Sequence, residues 1–247
     1  MVSTGLDGDV AIVTGASSGI GEATVRVLAR EGADVVLAAR RRERLESVAD
    51  DVAAEHGVET HVVPTDVTDE TEVRSLVAAT VEEFGGLDVL VNNAGLGRGS
   101  DVESLDTSQY RQMMDVNCDG AFFATRAALP HLREAGGNLV FLGSFAGQYP
   151  RPANPVYAAT KWWLRGFAHS VEAAHGDEGV AVTVVNPTEV RTEFGSEDGE
   201  AFEEVFDPGE VTEPAEVAEA IAFAARQEAP TTTSEIDVYR RDKFSHF

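Results

Sequence analysis

Short aliphatic, β-branched runs alternate with longer amphipathic stretches along almost the whole of this chain, and that alternation is what most limits its fold. The runs expected as strands are Val10–Thr14, Asp34–Ala39, Glu59–Pro64, Leu87–Asn92, Asn138–Gly143, Val180–Asn186 and Glu235–Tyr239. Several, such as DVVLAA and VAVTVV, are apolar throughout rather than every second residue. Such runs fit strands covered on both faces, as in a parallel sheet. Helical spacing fills the gaps at Gly19–Glu31, Arg41–His56, Glu70–Phe84, Ser108–Ala135, Val156–Gly176 and Pro214–Gln227. Strand and helix in turn, joined by right-handed crossovers, give an α/β doubly wound architecture: a seven-stranded parallel sheet with helices on both faces. With 247 residues and neither internal repeat nor low-complexity linker, the expectation is one domain over residues 1–247. Residues 193–213 break the pattern: rich in Glu, Gly and Phe and without a period, they read as a substrate-binding loop or lid.

Charge narrows the partners. Asp and Glu number 43 against 19 Lys and Arg, a net charge of -24. A nucleic-acid binder needs a basic face, so that class is excluded. Self-repulsion of this size destabilises a compact state in dilute buffer. Among the basic residues only Lys161 and Lys243 are lysines, the rest being arginine. Together these features point to a halophilic protein from a salt-saturated cytoplasm, where the Debye length falls to roughly 3 Å or less. An acidic protein of an ordinary cytoplasm is the competing account. The single cysteine, Cys118, excludes a disulfide framework or a multi-cysteine zinc site and reads as a small buried residue. No apolar run reaches the ~18 residues of a membrane span. The start, MVSTGLDGDV, has neither the basic nor the apolar region of a secretion signal. A cytoplasmic location is the expectation. The histidines, His56, His61, His131, His169, His175 and His246, show no metal-ligand spacing.

Thr14-Gly15-Ala16-Ser17-Ser18-Gly19-Ile20-Gly21 follows the first strand and opens the first helix. Gly15 permits the tight turn, Gly19 a close backbone approach to a pyrophosphate, and Gly21 close helix packing. The helix N-terminus adds N–H groups and positive dipole. A glycine triplet alone is weak, since any strand–helix turn uses glycine. Here, however, it is followed by Asn92-Asn93-Ala94-Gly95 after the fourth strand, Ser144 after the fifth, and Tyr157-Ala158-Ala159-Thr160-Lys161. In order and spacing, from about residue 8 to 192, this set resembles the short-chain dehydrogenase/reductase family. The resemblance implies a Rossmann-type domain and a nicotinamide-dependent oxidoreductase.

Tyr157 and Lys161 stand four apart at the start of a helix, so they share a face. A free phenol titrates near 10, too high for neutral proton transfer, and a neighbouring ammonium is expected to lower it. In a chain so poor in lysine, one stands where that chemistry needs it. Ser144, at the carboxyl edge of the sheet, is placed to polarise a carbonyl. Asn117 sits inside a helical stretch, where Asn is a poor fit. The resemblance makes it the fourth member of a Ser-Tyr-Lys-Asn tetrad, holding a water on a proton relay to Lys161. A structural amide tying two segments together is the other account, and both roles are compatible.

The second strand ends at Ala39, followed by Arg40-Arg41-Arg42-Glu43-Arg44. An acidic residue there would bind the ribose 2′-hydroxyl of NAD, whereas Arg accommodates the 2′-phosphate of NADP. Arg40 and Arg41, with Ser17 adding a hydroxyl, therefore favour NADP over NAD. A solvated helix start balanced by Glu43 and Glu46 accounts for Arg42 and Arg44 only. By the resemblance, further coenzyme contacts fall at Ser18, Ile20, Asp66, Val67, Asn93, Ala94 and Gly95, at Tyr157 and Lys161, and on the nicotinamide side at Pro187, Val190 and Thr192. Asp66 alternatively caps the next helix, a task better suited to Thr68 or Asp69. The usual Pro-Gly after the sixth strand is Pro187-Thr188 here. Thr cannot easily adopt glycine-only angles, so a reshaped site edge is expected.

The resemblance further implies a small carbonyl or alcohol substrate and a homotetramer or dimer. Of Trp162 and Trp163, one is expected in the core and the other at a subunit contact. Phe194, Phe202 and Phe206 are expected either to wall the substrate pocket or to anchor their loop. The stretch VVLAARRRERL is most similar to members acting on small hydroxy acids. Alternatives are a 3-oxoacyl-carrier-protein reductase and a non-catalytic NADP-binding sensor.

Overall fold

A computed structural model of the chain describes residues 5–99, 101–195 and 200–245. Residues 196–199 of the expected lid and His246 lie outside the described residues. Seven strands form one parallel sheet: β1 (Val10–Thr14), β2 (Asp34–Ala39), β3 (Thr60–Pro64), β4 (Val89–Asn92), β5 (Asn138–Leu142), β6 (Ala181–Pro187) and β7 (Glu235–Val238). Their order is β3-β2-β1-β4-β5-β6-β7. The expected α/β fold is thus the observed one. The helices are α1 (Gly19–Arg30), α2 (Arg42–His56), α3 (Glu70–Phe84), α4 (Thr107–Met114), α5 (Ala121–Ala135), α6 (Pro155–His175), the short α7 (Phe202–Val205) and α8 (Pro214–Ala225).

The unbroken apolar runs have a simple cause. Side chains alternate across a strand, and both faces are covered. In β1, Ala11 and Val13 enter a core built with α1, α2 and α8, while Val10 and Ile12 enter a second core with α3, α5 and α6. β1 pairs with β2 on one side and β4 on the other, and the chain winds outward in opposite directions from there. At that switch point the loops leaving the carboxyl ends diverge and open a crevice. No described helix is long and apolar enough to cross a membrane.

Two expectations fail. The helix expected over Ser108–Ala135 is interrupted: Asp115–Gly120 is wound as a π-helical turn between α4 and α5. Gly120 lies against Val67, where a Cβ would come within 2.8 Å of its side chain, so the lack of a side chain lets this segment run close to the loop after β3. Such π turns often occur at functional sites, and this one carries Asn117. Neither tryptophan is in the core. Trp162 is 46% and Trp163 39% exposed, and Trp163 stacks on Phe167 at 5.0 Å between centroids. Helical periodicity fixes a face but does not say whether protein or solvent lies opposite it.

Candidate active site

The glycine turn joins β1 to α1. Gly15 has φ +69°, and a Cβ on Gly21 would stand 2.2 Å from the Gly15 carbonyl oxygen. The turn is stapled from β4: the Asn93 amide donates to the Thr14 carbonyl at 2.7 Å, and the backbone N–H groups of Asn93 and Ala94 donate to the Thr14 hydroxyl at 3.0 Å. Thr14 Oγ1 in turn donates to the Val91 carbonyl. Thr14 was absent from the expected site, although a buried hydroxyl heading the turn is the residue that ties β1 to β4.

A cleft of about 680 Å³ runs along this edge. Gly15, Ser17, Ser18, Gly19, Ile20 and Gly21 line one side. Arg40, Arg41, Asp66 and Val67 line it as well, with Asn93, Ala94 and Gly95. Arg41 donates to Ser17 Oγ at 2.8 Å and to Ser18 Oγ at 2.7 Å, and pairs with Glu193 at 3.2 Å. Arg44 also pairs with Glu193, at 2.8 Å, and these two guanidinium groups, Arg44 foremost, hold the Glu193 carboxyl below its ordinary range. Arg40 is exposed at the cleft. Asp66 does not cap α3. Asp69 does, accepting from Thr71 and Glu72 N–H groups, while Asp66 accepts from the Thr68 N–H and hydroxyl and stays at the cleft.

A second cavity, about 180 Å³, adjoins the first and shares Ile20, Asn93, Gly95 and Thr192 with it. Ser144, Tyr157, Lys161, Pro187, Thr188 and Val190 line it, with Phe194 and Phe202. The Phe194 ring lies 5.7 Å from Tyr157 and 5.6 Å from Phe202, whereas Phe206 packs behind Phe202. Thr188 enters the cavity without a left-handed backbone, its N–H bonded to the Val238 carbonyl at 3.2 Å.

The four expected catalytic residues do not all reach this cavity. Lys161 is buried and its ammonium donates to the Leu142 carbonyl at 2.7 Å, 5.8 Å from the Tyr157 ring centre. Burial brings the Lys161 amine down to about 8. Tyr157 runs against expectation: burial pushes its phenol up, opposed by a hydrogen bond with Ser144 and by the Arg151 charge. Desolvation disfavours the phenolate more than the surrounding dipoles and charges support it. Ser144 also caps the turn Phe145–Gly147, accepting from the Ala146 N–H at 3.1 Å. Asn117 sits behind the cavity. Its amide donates to the Leu96 carbonyl at 2.8 Å and Thr160 Oγ1 at 3.0 Å, and its oxygen accepts from the Leu96 N–H at 2.9 Å. The amide thus ties the loop after β4 to α6, the structural role weighed for it. Cys118 is buried, its thiol pushed up to about 11 by burial. Among the lining residues that were not anticipated, three are charged: Arg151, Glu189 and Lys243.

The family described as short chain dehydrogenase matches residues 9–202. An uncharacterized oxidoreductase of Staphylococcus aureus (strain USA300) is 35% identical over 238 residues, covering 95% of this chain and 98% of that protein. Among solved structures, an alcohol dehydrogenase from the archaeon Thermococcus sibiricus, complexed with 5-hydroxy-NADP, superposes with a TM-score of 0.86 at 31% identity, over 94% of this chain and 96% of that one. A 3-ketoacyl-(acyl-carrier-protein) reductase from Brucella melitensis, complexed with NADH, gives 0.84 at 29% identity, over 95% and 98%.

Proposed function

The chain belongs to the short-chain dehydrogenase family and is an oxidoreductase, and on that premise we propose that it moves a hydride between NADP and a carbonyl or secondary alcohol. The observation that carries this reading is the placing of Tyr157, Ser144 and Lys161 on one small cavity that opens into the glycine-lined cleft. The cleft suits a dinucleotide: it is lined by Gly15 and Gly21, where the backbone is packed so closely that a single Cβ would not fit. Gly15 to Gly21 would hold the pyrophosphate, Asp66 and Val67 the adenine end, and Pro187, Val190 and Thr192 the nicotinamide end. When bound, the coenzyme supplies or accepts the hydride at the substrate carbon. Tyr157 gives its proton to the carbonyl oxygen in reduction, and Ser144 donates a hydrogen bond to the same oxygen. A phenol kept protonated by burial is ready for that direction. Lys161, fixed on Leu142, balances the charge left on Tyr157, and Asn117 holds the loop after β4 to the helix that carries both.

The NADP reading rests on Ala39 in place of an acid and on Arg40 and Arg41 lining the cleft beside it. Arg41 is already oriented by Ser17 and Ser18, so its fork faces the turn. Replacing Arg40 and Arg41 together by Ala is expected to lower kcat/KM for NADPH by about 10- to 100-fold, the worth of charged hydrogen bonds, with a much smaller change for NADH. Steady-state kinetics with both coenzymes decides; a wild-type kcat/KM higher with NADH overturns the assignment.

The acidic excess supports a high-salt setting. Dilution from molar salt into ~10 mM buffer is expected to unfold the protein, as the Debye length grows about tenfold. Circular dichroism against salt concentration checks this, and an unchanged melting temperature at low salt argues for an ordinary cytoplasm. An exposed aromatic strip on α5 and α6, with Phe122 37% exposed beside Phe167, which stacks on Trp163, supports self-association as a dimer or tetramer.

A further inference from the structure

Two cations that the sequence did not single out for the site meet at one aromatic ring. Phe145, next to Ser144, is buried. The Arg151 guanidinium lies 5.8 Å from its centre and the Lys243 ammonium 4.6 Å. Both side chains line the same cavity as Ser144 and Tyr157. Arg151 comes from the loop between β5 and α6, Lys243 from the tail after β7.

Their charges are handled differently. Lys243 forms an ion pair with Glu189 in which the two side chains are only 8% and 18% exposed. That pair is electrically closed. It fixes the tail against the cavity, with Phe244 packing 6.0 Å from Phe145. Arg151 has no carboxylate within ion-pair distance among the described residues, although the chain holds 43 acidic side chains against 19 basic ones. Most arginines of the chain do meet one, Arg26, Arg30, Arg133 and Arg165 among them; Arg40, Arg111 and Arg241 share the unpaired state among the described residues, but of these four only Arg151 lines the cavity of Ser144 and Tyr157. Arg151 instead keeps its charge beside the reacting hydroxyl, close enough to act on the Tyr157 phenol. The cavity wall therefore carries a net positive charge inside a strongly negative protein. A guanidinium resting on an aromatic face presents a planar fork of donors that matches a carboxylate.

We propose that Arg151 binds the substrate, and that the substrate is a short oxo acid or hydroxy acid whose carboxylate pairs with it. This rests on the oxidoreductase reading of the same cavity and names the substrate class. A cavity of about 180 Å³, closed by Phe194 and Phe202 on one side, suits a short chain. The reaction balances as before: hydride to the carbonyl carbon, the Tyr157 proton to its oxygen, and the carboxylate unchanged.

A matched pair of substrates tests this. Acetoacetate and methyl acetoacetate offer the same ketone with and without the charge. With NADPH-saturated protein at fixed salt, wild type is expected to favour the acid in kcat/KM by at least ~10-fold. Arg151→Met is expected to lower the acid-to-ester ratio by ~30- to 100-fold, mainly through KM for the acid, and Arg151→Lys to restore part of it. An equal loss on acid and ester, or a wild type that prefers the ester, overturns the proposal. Calorimetry with malonate, which carries carboxylates and no reducible carbonyl, separates the subsite from the reaction. Malonate bound by wild type and by Tyr157→Phe but not by Arg151→Met supports the subsite even if neither ketone turns over; in that case only the reaction reading falls. No malonate binding by wild type refutes the subsite.

Discussion

Tyr157→Phe is expected to lower kcat by roughly 10³- to 10⁴-fold, near the upper end of what a positioned proton donor contributes. The substitution deletes one oxygen and leaves the ring where it packs, 5.7 Å from Phe194 and 5.8 Å from the Lys161 ammonium. Coenzyme affinity should stay within about twofold, because the glycine turn, Arg40 and Arg41 are untouched. Stability should change by no more than ~1 kcal/mol, the net worth of one hydrogen bond. Single-turnover kinetics with NADPH, beside a coenzyme titration, measures both. Residual turnover within tenfold of wild type would remove Tyr157 from the chemistry and shift the proton to another donor in the cavity.

Gly21→Ala is expected to destabilise the protein by about 3 kcal/mol, at the upper end of overpacking in a well-packed site, and to weaken coenzyme binding at least ~10-fold. The added methyl would stand 2.2 Å from the Gly15 carbonyl oxygen and 2.6 Å from the Asn93 amide nitrogen. The first contact is backbone and has no rotamer to escape through. The second is the staple that fixes the turn on Thr14. Gly86→Ala is the matched control, since a Cβ there meets nothing within 4 Å. It should move stability by less than ~0.5 kcal/mol. Urea denaturation of both variants, with coenzyme titration of each, tests the pair. A Gly21→Ala protein as stable as Gly86→Ala, with unaltered coenzyme affinity, would mean that the helix can slide away from the turn.

The sheet was legible in advance because a strand buried on both faces writes itself as an apolar run, and β1, β2 and β6 do so. Asn117 was legible as a misfit, since its side chain suits neither an exposed nor a buried helix position. The π turn that seats it was not: nothing in the helical spacing of Ser108–Ala135 marks where an extra residue is taken up, and the approach of Gly120 to Val67 is a contact between distant segments. The direction of the Tyr157 shift was missed for a similar reason. Charge neighbours can be read from spacing, whereas depth of burial exists only after folding. Arg151 and Lys243 were hidden because the topology, not the sequence order, brings the loop after β5 and the tail after β7 to one ring. A signal for Lys243 was nonetheless present: it is the other of two lysines in a chain that otherwise uses arginine.

The widened coil at Asp115–Gly120 makes this stretch sensitive to length rather than to composition. Deleting any one residue there would let an ordinary helix run through from Thr107 to Ala135. The two ends would keep their relative angle, because a π turn takes up one extra residue locally; what would change is the angular setting of the side chains within the turn. Asn117 would swing out from between Leu96 and Thr160, and the strand-end loop it restrains would lose its tether. Point changes at neighbouring positions leave that angular setting intact. The segment therefore tolerates a change of letter far better than a change of count.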